Sequence, residues 1–180
     1  SGKDSLHNEF SYTNDEGSRQ TISIPSTLLI SAMGQVPDVA NCVTMDFKNA
    51  GNILFQIGVT GDHLGGSHWT LVNEMSGGKV PSVVPERAKQ TFIHLHDAIQ
   101  KGLVRSCHDM SEGGLAVAVA EMAFAGGLGA QITTDEVGMD ILPSRPDSEI
   151  DLSYATAALL FSESNTRFVV EITPDNVEQF

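Results

Sequence analysis

Positive charge is the scarcest property of this chain: 10 Lys and Arg stand against 23 Asp and Glu in 180 residues, a formal charge of −13. So acidic a balance disfavours polyanionic partners, which argues against nucleic acid and an anionic membrane surface. A small nucleotide is not disfavoured, because backbone amides and metal ions can hold phosphate in an acidic protein. Cysteine is equally sparse. Cys42 and Cys107 are the only two, too few for a disulfide framework or a zinc site, and they form no CxxC pair. Both lie in apolar, strand-like runs, so buried thiols in a reducing compartment are expected. No apolar run reaches the length of a membrane span, and the polar opening Ser1-Gly2-Lys3-Asp4 lacks signal-peptide character. These absences together lead to the expectation of a cytoplasmic protein. Internal repeats and low-complexity tracts are missing too, while 41% hydrophobic residues suffice for a real core.

What is present reads as mixed strands and helices without strict βαβ alternation, hence an α+β fold. Residues 11–20 read as a polar loop. Residues 26–34 and 41–47 hold short apolar segments expected as strands, and Ile53 to Val59 reads as a buried strand after the break at Asn49-Ala50-Gly51-Asn52. That break sets a domain boundary, with residues 1–48 the tail of one domain and 49–180 a second. A helix is expected from Pro85 to Lys101. Ala88, Phe92, Leu95 and Ile99 share one stripe, Pro85 opens it and Gly102 follows its end. His94 and His96 lie off that stripe, two apart, and read as solvated surface. Residues 128–133 are expected to form a strand and 135–152 an acidic loop. Thr156–Phe161 and Arg167–Ile172 read as a hairpin around Ser162–Thr166. The C-terminal Pro174–Phe180 looks like the first turns of a helix, with Asp175 available as its cap. Both chain ends look abrupt, so a piece of a longer polypeptide is expected.

The most informative stretch is His108-Asp109-Met110-Ser111-Glu112-Gly113-Gly114-Leu115, which runs into the alanine-rich segment 116–125. It reads as a strand end, an acidic glycine turn and a helix start. Adjacent glycines let a ligand approach the backbone, and the first N–H groups of a helix suit an anion. Asp109 and Glu112 would repel bare phosphate, so this reading requires a divalent cation between them. An ordinary N-terminal cap, with Ser111 or Asp109 accepting backbone N–H groups, reads the same residues equally well. Leu64-Gly65-Gly66-Ser67-His68-Trp69 is a second glycine loop, for which a purely structural use is favoured. His63 and His68 across it lack a third ligand and are discounted as a metal site.

Four further blocks keep company with the glycine turn: Ser1–Phe10, Ile24–Gly34, Leu64–Ser67 and Phe161–Phe168. In this order the five closely resemble the C-terminal part of the second half of the phosphoribosylformylglycinamidine synthase family, in its synthetase subunit or domain. The resemblance implies a pseudo-duplicated parent built from domains like those of aminoimidazole ribonucleotide synthetase. It also implies ATP-dependent conversion of formylglycinamide ribonucleotide, with ammonia from glutamine, to formylglycinamidine ribonucleotide, ADP and phosphate. ATP and Mg2+ are the implied cofactors. The remainder of the synthetase polypeptide, a glutaminase domain or subunit and small nucleotide substrates are the implied partners.

Residue by residue, the resemblance implies that Gly2 approaches ATP through its backbone and that Ser5 contacts substrate. Lys3 stands where the small form of the enzyme often holds a magnesium-ligating Asn; an ammonium can neutralise phosphate but cannot bind a metal. Asp109 aligns with a magnesium ligand, and Glu163 and Ser164 with substrate contacts, of the first half. In a second half these positions, with Gly113 and Gly114, would line an auxiliary nucleotide site. Glu163 also reads as a plain surface ion pair with Arg167. His7 and His108 are not cast as catalytic, since the family's proposed catalytic histidine belongs to the first half. Other superfamily members, such as thiamine-phosphate kinase or selenide water dikinase, fit the Gly-Lys-Asp-Ser opening and the Phe-Ser-Glu-Ser turn less well. A non-catalytic nucleotide-binding or assembly module is the reading from a different class.

Overall fold

The structure, a computed structural model, describes residues 3–4, 9–23, 28–134, 139–140 and 152–180. Two compact units divide at Val39 and Ala40. In the first, β1 (Lys3–Asp4), β2 (Glu9–Thr13), β3 (Arg19–Ser23) and β4 (Leu28–Leu29) pair as β1 with β4 and β2 with β3, both antiparallel. The stretch expected as a polar loop is therefore mostly hairpin. Its loop is only the tip, where Asn14 accepts from Ser18 N–H through Oδ1 at 2.8 Å and Gly17 takes φ 77°. Phe10 and Tyr12 stack on one face at 6.0 Å, the period of two that a strand imposes.

The second unit is built on a sheet of three strands, ordered β5 (Ile53–Ile57), β9 (Phe168–Ile172), β7 (Val104–Asp109), with both pairings antiparallel. Between β5 and β7 come β6 (Thr60–Gly61), α1 (His68–Val72) and α2 (Pro85–Gln100). After β7 come α3 (Gly114–Gly126), β8 (Met139–Asp140), parallel to β6, and α4 (Leu152–Phe161). The central strand alternates in what it buries. Val170 and Ile172 pack with Leu95 and Ala98 of α2, while Val169 packs with Leu115, Ala118, Val119 and Met122 of α3. Both faces are thus covered, which explains why Phe-Val-Val-Glu-Ile reads as a nearly continuous apolar run. Among the described residues no helix is long and apolar enough to cross a membrane.

Several expectations are corrected. Thr156–Phe161 is the second half of α4, not a strand; Ala157, Ala158, Leu159 and Leu160 are strong helix formers, and Ala158 is fully buried. The partners of β9 are consequently β5 and β7, and there is no hairpin around Ser162–Thr166. The 41–47 segment is no strand either: a 3-10 turn covers Val39–Asn41, and the chain then touches the edge of β7 through one bond, Cys107 N–H to Thr44 O at 3.2 Å. Cys42 is accordingly exposed, and Cys107 is half-buried with its thiol pushed up to about 11, by burial first and Asp109 second. Residues 128–133 form no regular element, and the helix expected after Pro174 is a single 3-10 turn, Pro174–Asn176, preceded by Thr173 without a side-chain cap. Most of the 135–152 loop lies outside the described residues, except for β8 at Met139–Asp140 and the start of α4.

Candidate functional site

The glycine turn sits where β7 ends. Met110 N–H bonds the Arg167 carbonyl at 2.9 Å, extending the sheet by one step, and the chain then turns through Ser111 and Glu112 into α3. Gly113 and Gly114 both adopt left-handed φ, 77° and 63°. A Cβ on Gly114 would lie 2.4 Å from the Ser162 carbonyl oxygen, so glycine is needed there for α3 to meet the 162–166 turn.

Neither Ser111 nor Asp109 caps α3 with its side chain. The cap comes from fifty residues away: Glu163 Oε1 accepts Gly113 N–H at 2.9 Å and also His68 N–H, the first residue of α1, at 3.0 Å. One carboxylate oxygen therefore serves two helix starts, where the helix dipole favours negative charge. The anion held at this turn is the protein's own, and as arranged Gly113 has no free N–H for a phosphate. Replacing Glu163 with alanine should free both N–H groups and lower stability by about 1–2 kcal/mol, with amide exchange at Gly113 and His68 accelerated. Unchanged exchange at both amides would count against the cap.

Ser164, expected as a nucleotide or substrate contact, and Ser162 are both buried and bind β6. Ser162 Oγ donates to Gly61 O at 2.7 Å, while Ser164 Oγ accepts Gly61 N–H at 2.9 Å and lies 2.8 Å from His63 Nδ1. Beneath them is Arg167, 1% exposed. Its Nε donates to Ser164 O at 3.0 Å, one terminal nitrogen to Thr60 Oγ1 at 3.0 Å and the other to Ser162 O. Burial pulls the guanidinium down to about 10, which leaves it charged at neutral pH. The surface ion pair expected between Arg167 and Glu163 is absent among the described residues, because the two side chains serve different backbone groups. The turn itself is strained: Thr166, a β-branched residue, has φ 59°.

Asp109 is the open group of this neighbourhood, with its side chain 64% exposed. Beside it His108 is gripped on both ring nitrogens, by Glu121 at 2.7 Å and by Asp109 at 3.3 Å. Among the described residues no three His, Cys, Asp or Glu side chains converge as a metal cage. Magnesium commonly takes only one or two carboxylates and completes its shell with phosphate and water, and Asp109 fits that limited role. Gly2 and Ser5 lie outside the described residues, and Lys3 stands in β1 paired with Leu29. Sequence reasoning missed Arg167 as a buried organiser, and it missed Tyr154, whose hydroxyl donates to the buried Asp62. Burial first, then Asp62, pushes the Tyr154 phenol up to about 12.

Residues 49–180, the region holding this sheet, its helices and the turn, match the family model described as AIR synthase related protein, C-terminal domain. The chain belongs to this family. It is 35% identical over 157 residues to phosphoribosylformylglycinamidine synthase subunit PurL of Alkaliphilus metalliredigens, a match covering 87% of this chain and 19% of that protein. Among solved structures it is similar to T. maritima PurL complexed with FGAR (TM-score 0.61, 21% identity, 78% of this chain and 23% of the other). It is also similar to T. maritima PurL complexed with ATP (TM-score 0.55, 20% identity, 89% and 21%). These likenesses support the α+β architecture. The chain spans about a fifth of the length of the PurL proteins it matches.

Proposed function

We propose that this chain is part of an ATP-dependent phosphoribosylformylglycinamidine synthase, a carbon–nitrogen ligase of purine biosynthesis. Within it, residues 1–48 are the tail of an N-terminal-type domain and 49–180 the C-terminal-type domain. The observation that carries this is the 35% identity to PurL across 87% of the chain. When bound, ATP supplies the phosphoryl group that activates the amide oxygen of formylglycinamide ribonucleotide.

This chain's own contribution is mostly architectural. Glu163 fixes the starts of α1 and α3, Ser164 ties the 162–166 turn to β6, and Gly113 and Gly114 let α3 approach that turn. They shape the surroundings instead of gripping phosphate. Asp109 offers the solvent-open carboxylate for Mg2+ at the auxiliary nucleotide site, while Gly2, Lys3 and Ser5 contact nucleotide or substrate at the main active site. A glutaminase domain or subunit supplies ammonia, and the assembly works in the cytoplasm. Purified alone, the chain should form no ADP from ATP, formylglycinamide ribonucleotide and ammonia; joined to the rest of a PurL polypeptide it should support turnover. Turnover by the chain alone would refute the first statement. A correctly folded but inactive joined protein would refute the second.

A further inference from the structure

A cleft of about 260 Å³ opens between the 162–166 turn, β6 and the start of α2, and neither Gly113 nor Gly114 lines it. Asp62, His63, Lys79, Arg87, Ser164 and Asn165 line it. Two of the chain's 10 Lys and Arg therefore meet at one small cleft of a protein whose formal charge is −13. Among the described residues neither Lys79 nor Arg87 has a carboxylate partner, whereas Lys48 and Lys101 are each paired.

The backbone brings these cations here. Gly65 N–H bonds the Lys79 carbonyl at 2.8 Å, and a Cβ on Gly65 would lie 2.6 Å from Gly78 O, so the glycine admits the irregular segment that carries Lys79. Arg87 lies in the first turn of α2, whose N-cap is Val84, a residue unable to cap with its side chain. Only the N–H groups of Glu86 and Arg87 are left unbonded in that turn, since Pro85 has none and Ala88 bonds Val84 O, and the Glu86 carboxylate partly offsets the positive potential they add. His63 is held below its usual pKa by burial, with Asp62 opposing and Arg167 and Lys79 reinforcing the shift. It stands in the cleft as a neutral hydrogen-bonding group.

We propose that this cleft binds the phosphate group of a small phosphate monoester, with Lys79 and Arg87 as its principal contacts. Drug-sized ligands occupy about 300–1,000 Å³, so the space suits a phosphate and a short polyol. Buried Asp62, 7% exposed and bonded to Tyr154, would repel a second phosphate while accepting a hydroxyl. A monoester is therefore preferred over a nucleoside diphosphate. This reading stands on the geometry of the second unit and not on the activity proposed above, and it needs no ATP or assembled enzyme to test.

The probes are inorganic phosphate, glycerol phosphate and ADP without metal, titrated into the 180-residue chain and followed by amide shifts. At about 10 mM phosphate, enough to fill most of a millimolar site, shifts should centre on Gly61, His63, Arg87 and Asn165. Lys79→Ala and Arg87→Ala should each weaken binding by about tenfold, with unchanged circular dichroism because both side chains are exposed. ADP should bind more weakly than glycerol phosphate. No saturable shifts at these residues, equal displacement by chloride, or affinities indifferent to both substitutions would each overturn the proposal.

Discussion

Replacing Arg167 with alanine is expected to lower the stability of the Ala40–Phe180 unit by about 3–5 kcal/mol, seen as a large fall in the urea midpoint at unchanged slope. The guanidinium is almost wholly buried and donates to Ser162 O, Ser164 O and Thr60 Oγ1. Removing it leaves acceptors unsatisfied in a dry environment, each costing about 1–3 kcal/mol, and opens a cavity as well. Lysine is no substitute, since one ammonium cannot span three acceptors lying in a fork. Arg167→Lys should therefore recover only part of the loss. A midpoint shift under about 1 kcal/mol for the alanine variant would mean that the turn is held by its serines alone.

The consequence reaches the candidate site. Arg167 sets the Ser162–Thr166 turn, that turn carries Glu163, and Glu163 fixes Gly113 and His68. A variant that loosens the guanidinium should raise amide exchange at Gly113, more than 50 residues away in sequence, before it affects the exposed Asp109. Coupling of this kind travels through bonded groups and can be checked by combining Arg167→Lys with Glu163→Ala. Stability changes smaller than additive are expected, because both substitutions release the same turn.

Local pattern was sufficient wherever one element decided its own fate. The Ala88, Phe92, Leu95 and Ile99 stripe with Pro85 and Gly102 marked α2, although Phe92 is more than half exposed, and the apolar run 168–172 marked a strand. Where tertiary partners decide, the pattern was mute or misleading. Ala157 to Phe161 is apolar on all sides, and a short run of that kind does not distinguish strand from buried helix. Phe10 and Tyr12 alternate properly, yet the surrounding Ser, Thr and Asn suggested a loop. Asp109 and Ser111 had the local signature of a helix cap, but the carboxylate doing that job comes from Glu163, a contact with no trace in nearby sequence. Arg167 was read as surface because arginine usually is; its position directly before Phe-Val-Val was the one available hint.

Glu171→Gln should cost about 2–3 kcal/mol near neutral pH and should flatten the acid limb of the stability profile. Glu171 lies on the central strand, 1% exposed, facing the side on which Val169 meets α3. Its two oxygens accept N–H from Lys48 and Asn49, the Asn52 amide at 2.6 Å and the Ser106 hydroxyl at 2.7 Å. Burial alone would raise its pKa, but the bonds from Ser106, Asn49, Asn52 and Lys48 together outweigh it, and the net shift is downward. A depressed folded pKa contributes stability that is fully present above the unfolded value of 4.5 and is lost as pH falls through the folded value. Glutamine keeps the shape but turns an N–H2 toward donors, so at least one bond becomes a clash of like groups. Urea denaturation of both proteins from neutrality downward gives the comparison. The gap between them should narrow below pH 4.5, as protonation weakens the wild-type carboxylate toward its amide counterpart. A gap that stays constant, or widens, as acid is added would show that Glu171 does not act through its charge.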